Sequence, residues 1–118
     1  MVRLRNTGMF PSASATVEPR YQDILRRIGE ALREEPGRVL VLGHSDNVPI
    51  RTVRFPNNQA LSESRARDAM RYIVAANGDA SRFTAEGRAE AEPLAPNTTP
   101  DGREQNRRVE VVLQREAR

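Results

Sequence analysis

The 118-residue sequence has no cysteine, no tryptophan and no lysine, although 19 of its residues are basic. Without cysteine there can be no disulfide framework, zinc ribbon or thiol nucleophile. A single histidine, His44, leaves any histidine-based metal site dependent on acids alone. Aromatic residues make up 4% of the chain, and its arginines are interspersed with 16 acids. The clustered basic stripe with stacking aromatics that marks a nucleic-acid-binding surface is therefore missing, and no nucleic-acid partner is expected. No run approaches the ~20 apolar residues that span a bilayer, and the N-terminus lacks the basic-then-apolar order of a signal peptide. Because Met1 stands directly before a strand-like segment, we expect a domain excised from a longer protein whose targeting part is missing.

What is present suffices for one core. A hydrophobic content of 37% over this length predicts a single domain spanning residues 1–118. Val2-Arg3-Leu4-Arg5 alternates like a half-buried strand. In the loop that follows, the apolar pair Met9 and Phe10 is expected to fold back on the core. Pro19 suits a first helical position, and Tyr21, Ile24, Leu25, Ile28 and Leu32 recur at helical spacing until Pro36-Gly37 stops them. Val39-Leu40-Val41-Leu42 is a short unbroken apolar run, the pattern of a central strand covered on both faces. A strand, a helix and a second strand in this order make a right-handed crossover with parallel strands. Residues 43–47 then lie at a strand's C-terminal end, where ligand sites collect.

Residues 48–57 form a loop with two prolines. A helix is predicted over 61–76, with Ala66, Ala69, Met70, Ile73 and Val74 on one face, Arg65 in the first turn and Asn77-Gly78 as its stop. A strand follows over 82–87. Thr99-Pro100-Asp101 supplies a cap, a first-turn proline and an acid for a short helix. The last strand covers 107–114, with Val109, Val111 and Leu113 alternating against Arg108, Glu110 and Val112, and the tail 115–118 is expected to fray.

His44, Ser45 and Asp46 are the residue types of a hydrolytic triad, but consecutive residues on an extended segment point alternate ways and cannot relay a proton in series. His44 is better read as a hydrogen-bonded residue at a strand end. Asp46 and Arg65 are the pair that carries chemistry: an acid at a strand exit and an arginine at a helix entry can hold an ammonium and a carboxylate, and so an amino-acid end group. The alternative is a plain structural salt bridge. Asn106-Arg107-Arg108 is either a solvated basic turn or a buttress whose guanidiniums fix Asp46 or neighbouring carbonyls. Three functions compete. A binding module requires Asp46 and Arg65 to face solvent in a shared cleft. An enzyme requires a metal cluster or an activated nucleophile, and the sequence offers neither, so no catalytic residue, cofactor or metal is expected. A structural module would use its surface for protein contacts, with the exposed loop around Phe55 as the interface.

Three motifs, Gly43-His44-Ser45-Asp46-Asn47, Asn58-Gln59-Ala60-Leu61-Ser62-Glu63-Ser64-Arg65-Ala66 and Gly102-Arg103-Glu104-Gln105-Asn106-Arg107-Arg108-Val109-Glu110, together resemble the OmpA-like peptidoglycan-binding domain in content and order. The resemblance implies an α+β sandwich, β-α-β-α-β-(α)-β, with helices packed on a mixed four-stranded sheet. It implies non-catalytic binding of the diaminopimelate of a peptidoglycan stem peptide, with Asp46 on its ammonium and Arg65 on its carboxylate. Backbone amides around Asn47 and the side chain of Asn58 would assist, and Ser45, Leu61, Asn106 and Arg107 would support. Ser45 stands where threonine is commoner and keeps the hydroxyl. Segment 48–57 is longer than in porin-type members, so that Arg51, Arg54 or Phe55 could cover the site or offer a second carboxylate-binding group. It resembles inner-membrane members instead: the periplasmic domain of the long-form type VI secretion protein TssL, and behind it the flagellar stator subunit. That implies a periplasmic domain of an inner-membrane-anchored protein, with other secretion-complex membrane proteins as partners and homodimerisation left open.

Overall fold

The sheet is built outward from the apolar run. In the computed structural model, which describes residues 2–5, 10, 15–48 and 55–114, β2 (Arg38–His44) lies between β3 (Phe83–Ala89), parallel to it, and β4 (Arg108–Gln114), antiparallel. The backbone of β1 (Val2–Arg5) pairs antiparallel with β4, giving the order β1-β4-β2-β3. β1 and β2 therefore run the same way, as the crossover requires, but β4 separates them. The expectations for Met9, Arg51, Arg54 and the tail 115–118 lie outside the described residues.

Two helices supply the rest of the core, α1 (Pro19–Ala31) and α2 (Asn58–Asn77). Leu25 of α1 and Ala66, Ala69 and Ile73 of α2 are fully buried against Val39 and Val41 of β2, Val109 and Val111 of β4, and Phe83 of β3. Period-two alternation in the strands and a 3.6-residue period in the helices thus converge on one apolar layer. Phe10 joins it at 5% exposure, as its place beside Met9 suggested. Ile24 does not: it is 43% exposed, because α1 meets α2 through the Gly29 side, where an added Cβ would lie 2.1 Å from the Ile73 carbonyl oxygen. Contact on that side rotates Ile24 outward.

The end of the fold opposite residues 43–47 is closed by Arg82. Its guanidinium donates to the carbonyls of Gly37 (2.8 Å), Leu32 (2.9 Å) and Glu35, tying the start of β3 to the 3-10 extension Leu32–Glu34 and the turn that follows it. A short α3 (Pro100–Asn106) precedes β4, with Thr99 Oγ1 accepting from Gly102 N–H at 3.0 Å. The predicted cap is thereby realised. Among the described residues no helix is long and apolar enough to cross a membrane.

Candidate functional site

The site begins where β2 ends. Ser45 N–H donates to the Ala89 carbonyl at 2.8 Å, and the ladder shifts register there, with Ala89 itself at φ 44°. A non-glycine residue in this region is uncommon, and such strain persists only where the surroundings impose it. Here the constraint comes from both sides, because Ala89 N–H also donates to Ser62 Oγ at 3.2 Å. Beyond Ser45, whose hydroxyl donates to the Asp46 carbonyl at 2.9 Å, the chain closes an Asx turn: Asp46 Oδ1 accepts from Val48 N–H at 2.9 Å. Asn58 Nδ2 donates to the Val48 carbonyl at 2.8 Å, tying the turn to the first residue of α2. Asn58 therefore holds the loop, while Asn47 stands exposed beside it.

Close contact between α2 and the strand ends sets where Arg65 lies. A Cβ at Gly43 would sit 2.2 Å from the Ser62 carbonyl oxygen, and one at Gly87 would sit 2.6 Å from the Glu63 nitrogen. Gln59 Nε2 adds a hydrogen bond to the Gly87 carbonyl at 2.6 Å. Leu61 is buried under the same region with Phe55 and Ala15. Phe55 itself is only 5% exposed, packed with Leu61 and Ala15, while its neighbours Pro56 and Asn57 are exposed.

Arg65 is not in the first turn of its helix. The Asn57 side chain accepts from Ala60 N–H at 2.9 Å and starts α2 at Asn58, leaving Arg65 about two turns inside, beyond the reach of the helix-terminal dipole. Any anion held by Arg65 is held by its guanidinium. That group lies over the Phe10 ring, 5.1 Å from its centroid, and is 7% exposed. Its pKa is lowered to about 10, chiefly by burial, then by the charge of Arg107, with Asp46 opposing both.

Asp46 is likewise 7% exposed, and its Oδ2 accepts from Arg107 NH1 at 2.5 Å. Asp46 and Arg65 thus stand with Arg107 in a largely enclosed cluster of one acid and two arginines, whereas a binding module requires the pair to face solvent. The three consecutive residues Asn106-Arg107-Arg108 serve three different neighbours. Asn106, at 0% exposure, accepts from Leu94 N–H (2.6 Å) and Ala95 N–H (3.0 Å) and donates to the Ala95 carbonyl and Asn97 Oδ1, both at 2.8 Å. Arg107 takes Asp46. Arg108 donates to Glu110 Oε2 (3.0 Å) and to the Asn106 and Glu92 carbonyls. The buttress reading of this segment is the one its geometry matches.

Strand alternation alone assigned Arg108 and Glu110 to a face opposite the valines, but it gave no sign that this face is buried at 4% and 6% exposure. Glu110 Oε1 also meets His44 Nε2 at 2.9 Å, while His44 Nδ1 is buried with no hydrogen-bond partner. Burial lowers the His44 pKa and the charge of Arg108 lowers it further, outweighing Glu110. Both effects favour the neutral ring, in which Nε2–H can donate to the carboxylate. Among the described residues no group of three or more histidines, cysteines or acids could hold a metal ion.

The sequence pattern that defines the OmpA family matches residues 9–107. The chain is 34% identical to motility protein B of Bacillus subtilis over 115 residues, covering 96% of this chain and 44% of that protein. It is 33% identical to the peptidoglycan-binding protein ArfA of Mycobacterium bovis over 105 residues, covering 88% of this chain and 31% of that one. It thus spans less than half the length of either relative. Among solved structures, the cell wall anchor of the T6SS from Pseudomonas aeruginosa superposes with a TM-score of 0.89 at 49% identity, covering 97% of this chain and 80% of that one. Motifs, mixed α+β fold and relatives agree, and the chain belongs to the OmpA family.

Proposed function

We propose that this domain binds peptidoglycan without catalysis by gripping the diaminopimelate end of an uncrosslinked stem peptide, and that it thereby anchors a type VI secretion membrane complex to the cell wall. Asp46 takes the ammonium and Arg65 the carboxylate, through charge-assisted hydrogen bonds. Asn47 offers backbone amides, and Asn58, Ser45, Leu61, Asn106 and Arg107 keep the site in shape. The observation that carries this reading is the convergence of Asp46 and Arg65 at one end of the sheet, on a loop and a helix fixed to each other through Asn58 and Gly43. Likeness to the T6SS cell wall anchor and to a peptidoglycan-binding protein supports it. The domain would then stand in the periplasm as part of an inner-membrane-anchored protein, with other secretion-complex membrane proteins as partners. Similarity to motility protein B favours a flagellar stator-type anchor as the alternative setting.

Calorimetric titration with a diaminopimelate-containing stem peptide tests the binding, and release of soluble muropeptides from purified wall tests for catalysis. Saturable binding without release is the expected result. The enclosure of Asp46 and Arg65 favours a second reading, in which the cluster is scaffold and the surface serves protein contacts. No binding by a folded domain, with crosslinked oligomers at rising concentration, would select it.

A further inference from the structure

If Asp46 takes a ligand ammonium, that ammonium meets a cation already in place. Asp46 Oδ2 is engaged by Arg107 and Oδ1 by Val48 N–H. A carboxylate has about four lone-pair sites, so another donor can be accepted, but only beside a guanidinium. Of the ion pair, Arg107 is the member turned to solvent: its side chain is 38% exposed, against 10% for that of Asp46.

We infer that Arg107 is a specificity-determining residue, which admits an ammonium to Asp46 only when a carboxylate is borne on the same carbon. This rests on the binding proposed above and adds to it the group that selects the ligand. A lysine-type end, a methylene carrying only an ammonium, brings a like charge against Arg107 with nothing to offset it. A diaminopimelate-type end brings a carboxylate whose lone pairs the planar fork of Arg107 can share with Arg65 as the ammonium shares Asp46. Were Arg107 only a support that aims Asp46, its loss would weaken both ligands alike. The ratio of the two affinities, rather than either one, therefore separates the roles.

The experiment is calorimetric titration of the parent chain, Arg107→Gln and Arg107→Lys with the tripeptide L-Ala-γ-D-Glu-meso-diaminopimelate and its counterpart ending in L-Lys. The parent is expected to prefer the first by about 10- to 100-fold, the scale of one charge-assisted hydrogen bond. In Arg107→Gln that preference should shrink by about tenfold, and Arg107→Lys, which keeps the charge, should restore part of it. Equal losses for both peptides overturn the role of Arg107 and leave the binding proposal standing, whereas a parent that binds both equally overturns the role of Arg107 and also the grip of Arg65 on the carboxylate. A folded parent that binds neither overturns both. Should Arg107→Gln fail to fold by circular dichroism, Arg107→Lys carries the test alone: a preference smaller than the parent's supports the inference, and a preference equal to it overturns it.

Discussion

Asp46 and Arg107 stand 61 residues apart in the chain, yet their side chains form one ion pair at the end of the sheet, because each flanks one of two antiparallel strands paired from Arg38↔Gln114 to His44↔Arg108. The last rung of the ladder delivers both to the same place. Asp46→Ala and Arg65→Ala should each cost about 1.5–3 kcal/mol of stem-peptide binding, the usual scale for hydrogen bonds to charged groups. A folded Arg65→Ala variant that sediments with purified cell wall as well as the parent would remove Arg65 from the site.

Gly43→Ala and Gly87→Ala should each destabilise the domain by about 1–3 kcal/mol, the cost of overpacking. In both cases the added methyl meets backbone of α2, which cannot rotate away as a side-chain end would. Urea unfolding would measure the loss, and an unchanged midpoint for Gly43→Ala would mean that α2 lifts off β2 freely.

Asn106→Ala should cost about 2–4 kcal/mol, since two backbone donors and a carbonyl of the 94–97 segment lose the partner that this fully buried side chain supplies. The urea midpoint checks this. A loss below 0.5 kcal/mol, about the scale of an ordinary surface change, would show that water replaces the amide.

His44 predicts a direction with pH. Its folded pKa lies below the ordinary histidine value of 6.5, so on acidification the unfolded chain takes up the proton first. Stability attributable to His44 is therefore fully present above pH 6.5 and is lost as pH falls through the folded value. His44→Gln keeps a donor for Glu110 without titrating, and its melting temperature should fall less steeply between pH 7 and pH 5 than that of the parent. Parallel curves would assign the acid sensitivity to other groups.

Ala89→Gly should leave stability unchanged or raise it by about 0.5–1 kcal/mol, because glycine adopts φ 44° without the clash of a Cβ. A clear loss on thermal unfolding would mean that the methyl packs better than its backbone suggests.

Much of the architecture was legible because it rests on local pattern. The apolar run 39–42 did become the strand flanked on both sides, Pro36-Gly37 did follow the end of the helical turns, and Thr99 did cap α3. The start of α2 was placed three residues late, since Asn58 and Gln59 carry no apolar signal and only the Asn57 cap declares the first turn. Motif order brought Asp46 and Arg65 to one end of the fold, but not their enclosure, which depends on rings such as Phe10 arriving from distant segments. Least legible was the buried set His44, Arg108 and Glu110. On a strand, a charged residue on the non-core face looks solvated until the other strands of the sheet are known to pair it.

The parallel course of β1 and β2, with β4 hydrogen-bonded between them, has a mechanical consequence. Through β4, Val2 lies level with Val41 and Arg5 with His44. A pull applied at Val2 and resisted at Asp46 runs along the strand axes, so the rungs on both sides of β4 are loaded together in shear rather than opened one after another. For a tethered domain this is the geometry in which the force needed for rupture grows with the number of rungs.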